Sequence, residues 1–405
     1  MEDLWSHQEI AVRRFMETGY GILEMATGTG KTRTAMRIIQ TLFEENRIEQ
    51  VIVIVYGNDL LEQWHHELLL NFPDVGIFRW FGTSNEFSRF QLYAGNRRIL
   101  LLSRGGERVL DVLRKMEMRQ GEGAVREKTL LLFDEVHGAG SESFRRALAG
   151  ILSSYRYRLG LSATPIREFD EEGTTFIQKE IGPVRYTFGL ECAIRKGILC
   201  SFDYVPLPYE LTEEERSRKK KIIASYEAKR KNGQLFQEEE MYRDLARVNK
   251  LAANKIPLFE NYILQNPKIL EHCIIFVETK EYGLALQRML LSHVYNFHTY
   301  YGEDDYKNLM RFARGDLQCL ITCKKISEGI DIKSVENIVL FSSDRGHLVT
   351  TQRIGRSLRR NPDRPEKTAC IVDFICENEK RRTGDTTADG EREEWLCALS
   401  KVRKE

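Results

Sequence analysis

Along the chain, short apolar runs alternate with stretches in which apolar residues recur at helical spacing. Between Gly21 and about Gly189 the runs are Gly21–Met25, Val51–Tyr56, Ile99–Leu102, Thr129–Phe133 and Arg158–Ser162. They are near-continuously hydrophobic rather than alternating, as strands buried on both faces of a parallel sheet require. Ala35–Phe43 and Leu60–Leu70 carry the helical pattern between them. The expectation is α/β architecture. The pattern breaks over Glu210–Glu260, where 12 basic and 10 acidic residues gather in blocks such as Arg216–Lys221 and Glu238–Glu240. Thr212-Glu-Glu-Glu215 has the Thr-x-x-Glu form of a helix N-cap, and Asn232-Gly233 reads as a break. A second strand-and-helix series follows, with strands expected at His272–Val277, Tyr295–Tyr300, Leu317–Thr322, Asn337–Phe341 and Thr368–Asp373. The expected organisation is therefore an α/β domain over 1–189, a charged helical linker or insertion over 190–260, a second α/β domain over 261–376, and a polar tail with a terminal helix over 377–405.

Composition narrows the class. With 405 residues, 42% hydrophobic and 30% charged, the chain can bury a core, which excludes a mainly disordered protein. Lys plus Arg number 61 against 60 for Asp plus Glu, a formal net charge of +1. Bulk basicity advertises no nucleic acid, so any such binding must use local clusters. No apolar stretch approaches the roughly 20 residues of a membrane span, and the acidic start Met1-Glu2-Asp3 lacks the pattern of a secretory signal. A soluble, cytoplasmic protein without membrane association is expected. All eight cysteines lie after residue 191 without a close CxxC pair. Cys319 and Cys323 read as buried reduced thiols rather than metal ligands.

The chemistry concentrates at two strand ends. Met25-Ala-Thr27-Gly28-Thr29-Gly30-Lys31-Thr32 follows an apolar run and precedes a helical stretch. Glycines there let backbone N–H groups wrap phosphates, and the helix N-terminus favours negative charge. Lys31 is placed to reach the β and γ phosphates of a bound nucleotide and the Thr32 hydroxyl to ligate Mg²⁺. Leu130–Phe133 then ends in Asp134-Glu135-Val136-His137, putting two carboxylates at the edge where open α/β sheets bind ligands. Asp134 suits Mg²⁺ and Glu135 the polarisation of an attacking water.

Together with further short strings in order, these segments resemble the motifs of superfamily 2 helicases and translocases of the DExH type. Met25–Thr32 resembles motif I, Asp134–His137 motif II, Leu161-Ser162-Ala-Thr164-Pro165 motif III and Ile274–Val277 motif IV. Ile321-Thr322 through Glu328-Gly329-Ile-Asp331 resembles motif V, and Gln352-Arg-Ile-Gly-Arg356-Ser-Leu-Arg359 motif VI. Leu4–Gln8 resembles the glutamine motif that reads adenine. The closest look is to restriction-enzyme translocase subunits and excision-repair helicases.

The resemblance implies two tandem RecA-like parallel-sheet domains, with the charged helical segment between them and ATP hydrolysed in their cleft. It implies ATP-binding roles for Gln8, Thr27, Gly28, Thr29, Gly30, Lys31, Thr32, Gly329, Asp331 and Gln352. Lys31, Asp134, Glu135, Arg356 and Arg359 become the catalytic set, one arginine acting as a finger on the transferring phosphoryl. Thr32 and Asp134 become the Mg²⁺ ligands. His137, Ser162 and Thr164 are expected to couple hydrolysis to movement, while Ser103, Arg104, Thr322, Lys324, Lys325 and Arg353 are expected at the nucleic acid. Such contacts to phosphates position a strand without reading its sequence. DNA is the expected substrate, with an RNA helicase as the alternative, and a protein partner is expected to supply nuclease or substrate specificity.

Overall fold

A computed structural model of the chain describes residues 5–403 except 169, 233–237, 295, 302–303, 305, 324–334, 344–345, 361–365 and 378–386. It separates into two compact units, the first running to Ala193 and the second beginning at Ile194.

Among the described residues, the first unit is built on a seven-stranded sheet. Its strands are β1 (Tyr20–Met25), β2 (Gln50–Val55), β3 (Gly76–Trp80), β4 (Arg98–Ser103), β5 (Thr129–Asp134), β6 (Tyr157–Ser162) and β7 (Val184–Phe188). Their order is β3-β4-β2-β5-β6-β1-β7, and every pairing is parallel. Every residue of β2, β5 and β6 is buried, which matches their largely apolar sequences. Because all strands point the same way, the loops after β1, β5 and β6 emerge at one edge. That edge carries Met25–Lys31, Asp134–His137 and Ser162–Pro165.

The second unit holds a six-stranded sheet: β8 (Phe202–Tyr209), β9 (Cys273–Phe276), β10 (Phe297–Tyr300), β11 (Cys319–Thr322), β12 (Asn337–Leu340) and β13 (Ala369–Cys376). The order is β10-β11-β9-β12-β13-β8, again all parallel. The architecture is that of two parallel-sheet α/β domains. Cys273 and Cys319 face each other in register with buried thiols.

The boundaries differ from the sequence reading at two places. The segment expected as a linker over 190–260 contains β8, which pairs with β13 along its full length. The charged helices Glu213–Lys231 and Glu238–Lys250 are thus an insertion between two strands of the second sheet. The first has the capping box: Thr212 Oγ accepts from Glu215 N (3.2 Å), and Glu215 Oε2 accepts from Thr212 N (2.9 Å). The expected tail ends in the helix Ala388–Ser400, which is pinned to the sheet rather than separate from it. Arg392, 3% exposed, donates to Asp373 at 2.8 and 3.3 Å and to Asp389 at 3.0 Å. Asp373, fully buried in β13, also accepts from Tyr204 at 3.2 Å.

A buried carboxylate stripped of its cation pays most of its desolvation unrelieved. Arg392→Met should therefore lower the unfolding free energy of the second unit by about 3–5 kcal/mol. Denaturant unfolding measures this, and a loss below about 1 kcal/mol, the size of an exposed pair, would show the pair to be peripheral.

Candidate nucleotide site

The loop after β1 turns through Gly28 and Gly30, at φ 87° and 86°, the left-handed region open to glycine at little cost. The helix Lys31–Glu44 starts directly behind it, so its first N–H groups point into the loop without intrahelical acceptors. Thr29 braces the turn, its hydroxyl donating to the Ala26 carbonyl at 2.7 Å. Lys31 Nζ folds back on the Met25 carbonyl at 3.2 Å. Thr32 stands half-buried as the second residue of the helix, and the buried Thr27 hydroxyl has no hydrogen-bond partner among the described residues.

The helix Ser6–Met16 lies across this loop. The buried Gln8 amide donates to the Thr29 carbonyl at 3.0 Å, and His7 Nε2 lies 2.8 Å from the same oxygen. A Cβ at Gly30 would collide with the Gln8 amide. His7 stacks on Phe188 of β7, ring centroids 4.2 Å apart. Gln8 thus grips the phosphate loop itself.

β5 delivers Asp134 to the same edge. Its carboxylate is almost fully buried, at 6% exposure. Oδ2 accepts from the Trp64 indole at 2.7 Å and Oδ1 from Glu135 N at 2.9 Å. Burial and then the neighbouring Glu135 charge push the Asp134 pKa up to about 6, against the pull of Trp64, the Lys31 ammonium and the Glu135 N–H. Glu135 follows at φ 47° and ψ 58°, a left-handed conformation that costs a non-glycine residue roughly 1–2 kcal/mol. Two donors hold its carbonyl there, Gly138 N at 3.0 Å and Arg104 at 3.2 Å.

His137 carries the connection to the loop after β6. Its Nδ1 lies 3.4 Å from Glu135 Oε2 and 3.3 Å from Ser162 Oγ, which also accepts from Thr164 N at 3.1 Å. The structure therefore brings together Lys31, Asp134, Glu135, His137, Ser162 and Thr164. Two participants take roles that the sequence reading did not assign them. Trp64 sits at helical spacing between Leu61 and Leu68 and reads as core. The signal for more was that a buried indole N–H needs an acceptor. Arg167 donates to the His137 carbonyl at 2.7 Å and to Asp170 at 2.7 Å.

The residues expected at nucleic acid are placed less uniformly. Ser103, half-buried at the end of β4, accepts from Arg108. Arg104 turns toward Glu135 and lies over the Tyr56 ring, 4.7 Å from its centroid. Thr322 is fully buried, its hydroxyl donating to the Tyr300 carbonyl at 2.8 Å. Arg353 is 1% exposed, with its guanidinium 4.5 Å from the Phe276 ring centroid and donating to the Ser342 carbonyl. Stacking and backbone hydrogen bonds inside the second unit therefore correct its expected place on an exposed phosphate-binding face. Gln352, Arg353 and Arg356 share the helix His347–Ser357, and Arg359 pairs through its backbone with Leu199. Lys324, Lys325, Gly329 and Asp331 lie outside the described residues.

The donor set fits a nucleotide with a divalent cation: a glycine loop at a helix start, one lysine, a helix-start threonine and a buried acid. Mg²⁺ keeps much of its water and needs only one or two protein oxygens. Two family models match the chain, "Type III restriction enzyme, res subunit" over residues 2–167 and "Helicase conserved C-terminal domain" over 254–361. The chain belongs to the superfamily 2 helicases and translocases. The DNA 3'-5' translocase XPB2 of Sulfurisphaera tokodaii is 24% identical over 92% of this chain and 81% of its own length. The putative DNA 3'-5' helicase Rad25 of Halobacterium salinarum is 25% identical over 88% of this chain, which spans about half (52%) of that relative. Among solved structures, the ATP-dependent Type ISP restriction-modification enzyme LlaBIII bound to DNA superposes with a TM-score of 0.63 at 16% identity. It covers 99% of this chain and 30% of LlaBIII.

The raised pKa of Asp134 makes the stability of the first unit depend on pH. The folded state favours the protonated acid, so this stabilisation is present below the ordinary aspartate value of 3.8 and is lost as pH rises through about 6. Trp64→Phe removes a donor to the anion and leaves a packing loss that does not depend on pH. The wild-type advantage in unfolding free energy over Trp64→Phe should be larger at pH 7.5 than at pH 4, by about 1–2 kcal/mol for a hydrogen bond to a charged group. Equal differences at the two pH values, measured by denaturant unfolding, would contradict the assignment.

Proposed function

We propose that this chain is an ATP-dependent DNA translocase or helicase. The observation that carries the reading is the meeting of Lys31, Asp134 and Glu135 at one edge of one parallel sheet, in a chain whose named relatives act on DNA. ATP supplies the free energy of its hydrolysis, with Mg²⁺ offsetting phosphate charge. The Gly28–Gly30 loop, Lys31 and Thr32 bind phosphates and cation, with Thr27 and Thr29 shaping the loop. Asp134 holds the cation through its carboxylate, and Glu135 accepts the proton of the attacking water. Gln8 orders the loop from the adenine side. His137, Ser162 and Thr164 carry the state of Glu135 to the loop after β6. Gln352 and, through motif V, Gly329 and Asp331 complete the nucleotide contacts, and Arg356 and Arg359 stabilise charge on the transferring phosphoryl.

No helix among the described residues is long and apolar enough to cross a membrane, which is compatible with work in the cytoplasm. Specificity for a sequence or lesion, or a nuclease activity, is assigned to a protein partner. Contact with nucleic acid is through local basic clusters, Lys324 and Lys325 among them, because the net charge is only +1.

Glu135→Gln should retain nucleotide binding and lower turnover by roughly 10²–10⁴-fold, the scale of a lost general base. Steady-state hydrolysis and equilibrium nucleotide binding test this together, and full turnover by the folded variant would remove Glu135 from the chemistry. Wild-type hydrolysis should be stimulated by DNA more than by RNA, with DNA affinity falling steeply as salt rises. Stimulation by RNA alone would replace this reading with the RNA helicase.

A further inference from the structure

The side chain of Arg104 occupies an unusual place. It leaves the end of β4 in a loop, Ser103–Gly106, that the family resemblance assigns to nucleic acid, yet it points at the catalytic loop. It donates to the Glu135 carbonyl at 3.2 Å. One face of its guanidinium covers Tyr56, which is 55% exposed in the loop after β2. It also presses on Gly138, where any Cβ would overlap the guanidinium. The same loop is fastened a second time, since a Cβ at Gly106 would come within 2.9 Å of Ala147 Cβ and 3.1 Å of Phe144 Cα, on the helix Glu142–Leu148 that follows the catalytic loop.

We propose that Arg104 is a positioning residue that transmits occupation of the Tyr56 and Ser103–Gly106 loops by a nucleic-acid phosphate chain to the peptide of Glu135. The proposal rests on the reading of the chain as a nucleic-acid-stimulated motor. A guanidinium carries five N–H donors in a rigid plane. It can hold the Glu135 carbonyl through one of them, stay stacked on Tyr56, and present others to a phosphate. A bound phosphate then fixes Arg104 in its present pose, and Arg104 fixes Glu135 in the left-handed conformation that it adopts against its intrinsic preference. Nucleic acid promotes hydrolysis to the extent that it binds this ordered arrangement better than the relaxed one. A lysine keeps the charge and three donors on a single nitrogen, but loses the planar fork that stacks on Tyr56 while donating in separate directions.

Gly138 supplies a clean way to displace the guanidinium. Its φ is not left-handed, so alanine is tolerated by the backbone, and the obstructing group is the far end of a flexible side chain. The experiment measures kcat, KM for ATP and the half-saturating concentration of a duplex DNA for wild type, Arg104→Ala, Arg104→Lys, Gly138→Ala and the Arg104→Ala/Gly138→Ala pair, with thermal unfolding as the folding control. Both Arg104 variants should lose roughly ten- to a hundred-fold in DNA-stimulated kcat at saturating DNA, with KM for ATP within about two-fold of wild type and half-saturation raised by no more than about ten-fold, the loss of one phosphate contact. Gly138→Ala should reproduce the loss, and adding it to Arg104→Ala should cost nothing more. Should Gly138→Ala fail to fold, the Arg104 pair alone decides. Three results would overturn the proposal: Arg104→Ala raising half-saturation at unchanged maximal kcat, which marks a phosphate contact only; full stimulation in Arg104→Lys; or losses that multiply in the double variant. Equal wild-type rates with and without DNA would defeat the motor reading and signal transmission with it. That outcome is distinguishable, because the same variants then report on the Arg104–Glu135 contact through basal kcat.

Discussion

An aspartate carboxylate at the end of a wholly buried strand is an unfavourable thing to fold around, and much of the first unit is arranged to meet that demand. Left alone in an apolar interior, the Asp134 carboxyl would stay protonated. Each oxygen has a neutral donor, the Trp64 indole at 2.7 Å and the Glu135 N–H at 2.9 Å, and the Lys31 ammonium adds a favourable charge. These three arrive from different elements. Trp64 ties the helix Asn58–Asn71 to β5, and Lys31 ties the phosphate loop to the same point. The short bond from Asp134 Oδ1 to the next N–H accompanies the left-handed turn that swings Glu135 out of the strand line. Satisfying one buried acid thus draws Trp64, Lys31 and the Glu135 N–H to one point.

Parallel topology does the gathering. Strands that all run one way deliver every downstream loop to one edge, so residues as far apart as Lys31, Asp134 and Ser162 meet without any long excursion. Arg104 and Tyr56 leave β4 and β2 at that edge too, which is how Arg104 comes to stack on Tyr56 and donate to the Glu135 carbonyl. The second unit repeats the sheet plan and spends its buried charge differently. Asp373 and Arg392 hold a terminal helix on the sheet, and Lys255, buried against Tyr209 and Phe374, donates to the Phe341 carbonyl at 2.9 Å. Burial lowers that lysine to about 8, as removal of an ammonium from water requires.

Interior strands were legible from sequence because burial on both faces leaves only apolar residues. The three strands that reading missed, β3, β7 and β8, are all at sheet edges. β3 has a single buried residue, Phe78, and β7 a single one, Phe188. β8 carries Pro206 and Pro208, tolerable only where one side of the strand needs no partner. Missing β8 is what misplaced the start of the second unit. At the site, the loop and the acid pair were legible as strings, because glycine, lysine and carboxylates are demanded by phosphate chemistry at fixed spacing. Trp64, Arg167 and the inward turn of Arg104 were not, since each acts through a contact far away in sequence. Arg353 shows the converse: a basic residue in a basic string is read as surface, yet an aromatic ring and a carbonyl hold it inside.

Hydrolysis alone does not make a motor; the central claim is that ATP turnover moves this protein along DNA. The most direct measurement is displacement of a third strand from a triplex, placed on duplex DNA ahead of the bound protein. With ATP the third strand should be released at a rate that falls with its distance from the loading end, and with a non-hydrolysable analogue it should remain. Steady ATP hydrolysis on the same DNA with the triplex left intact would contradict the account.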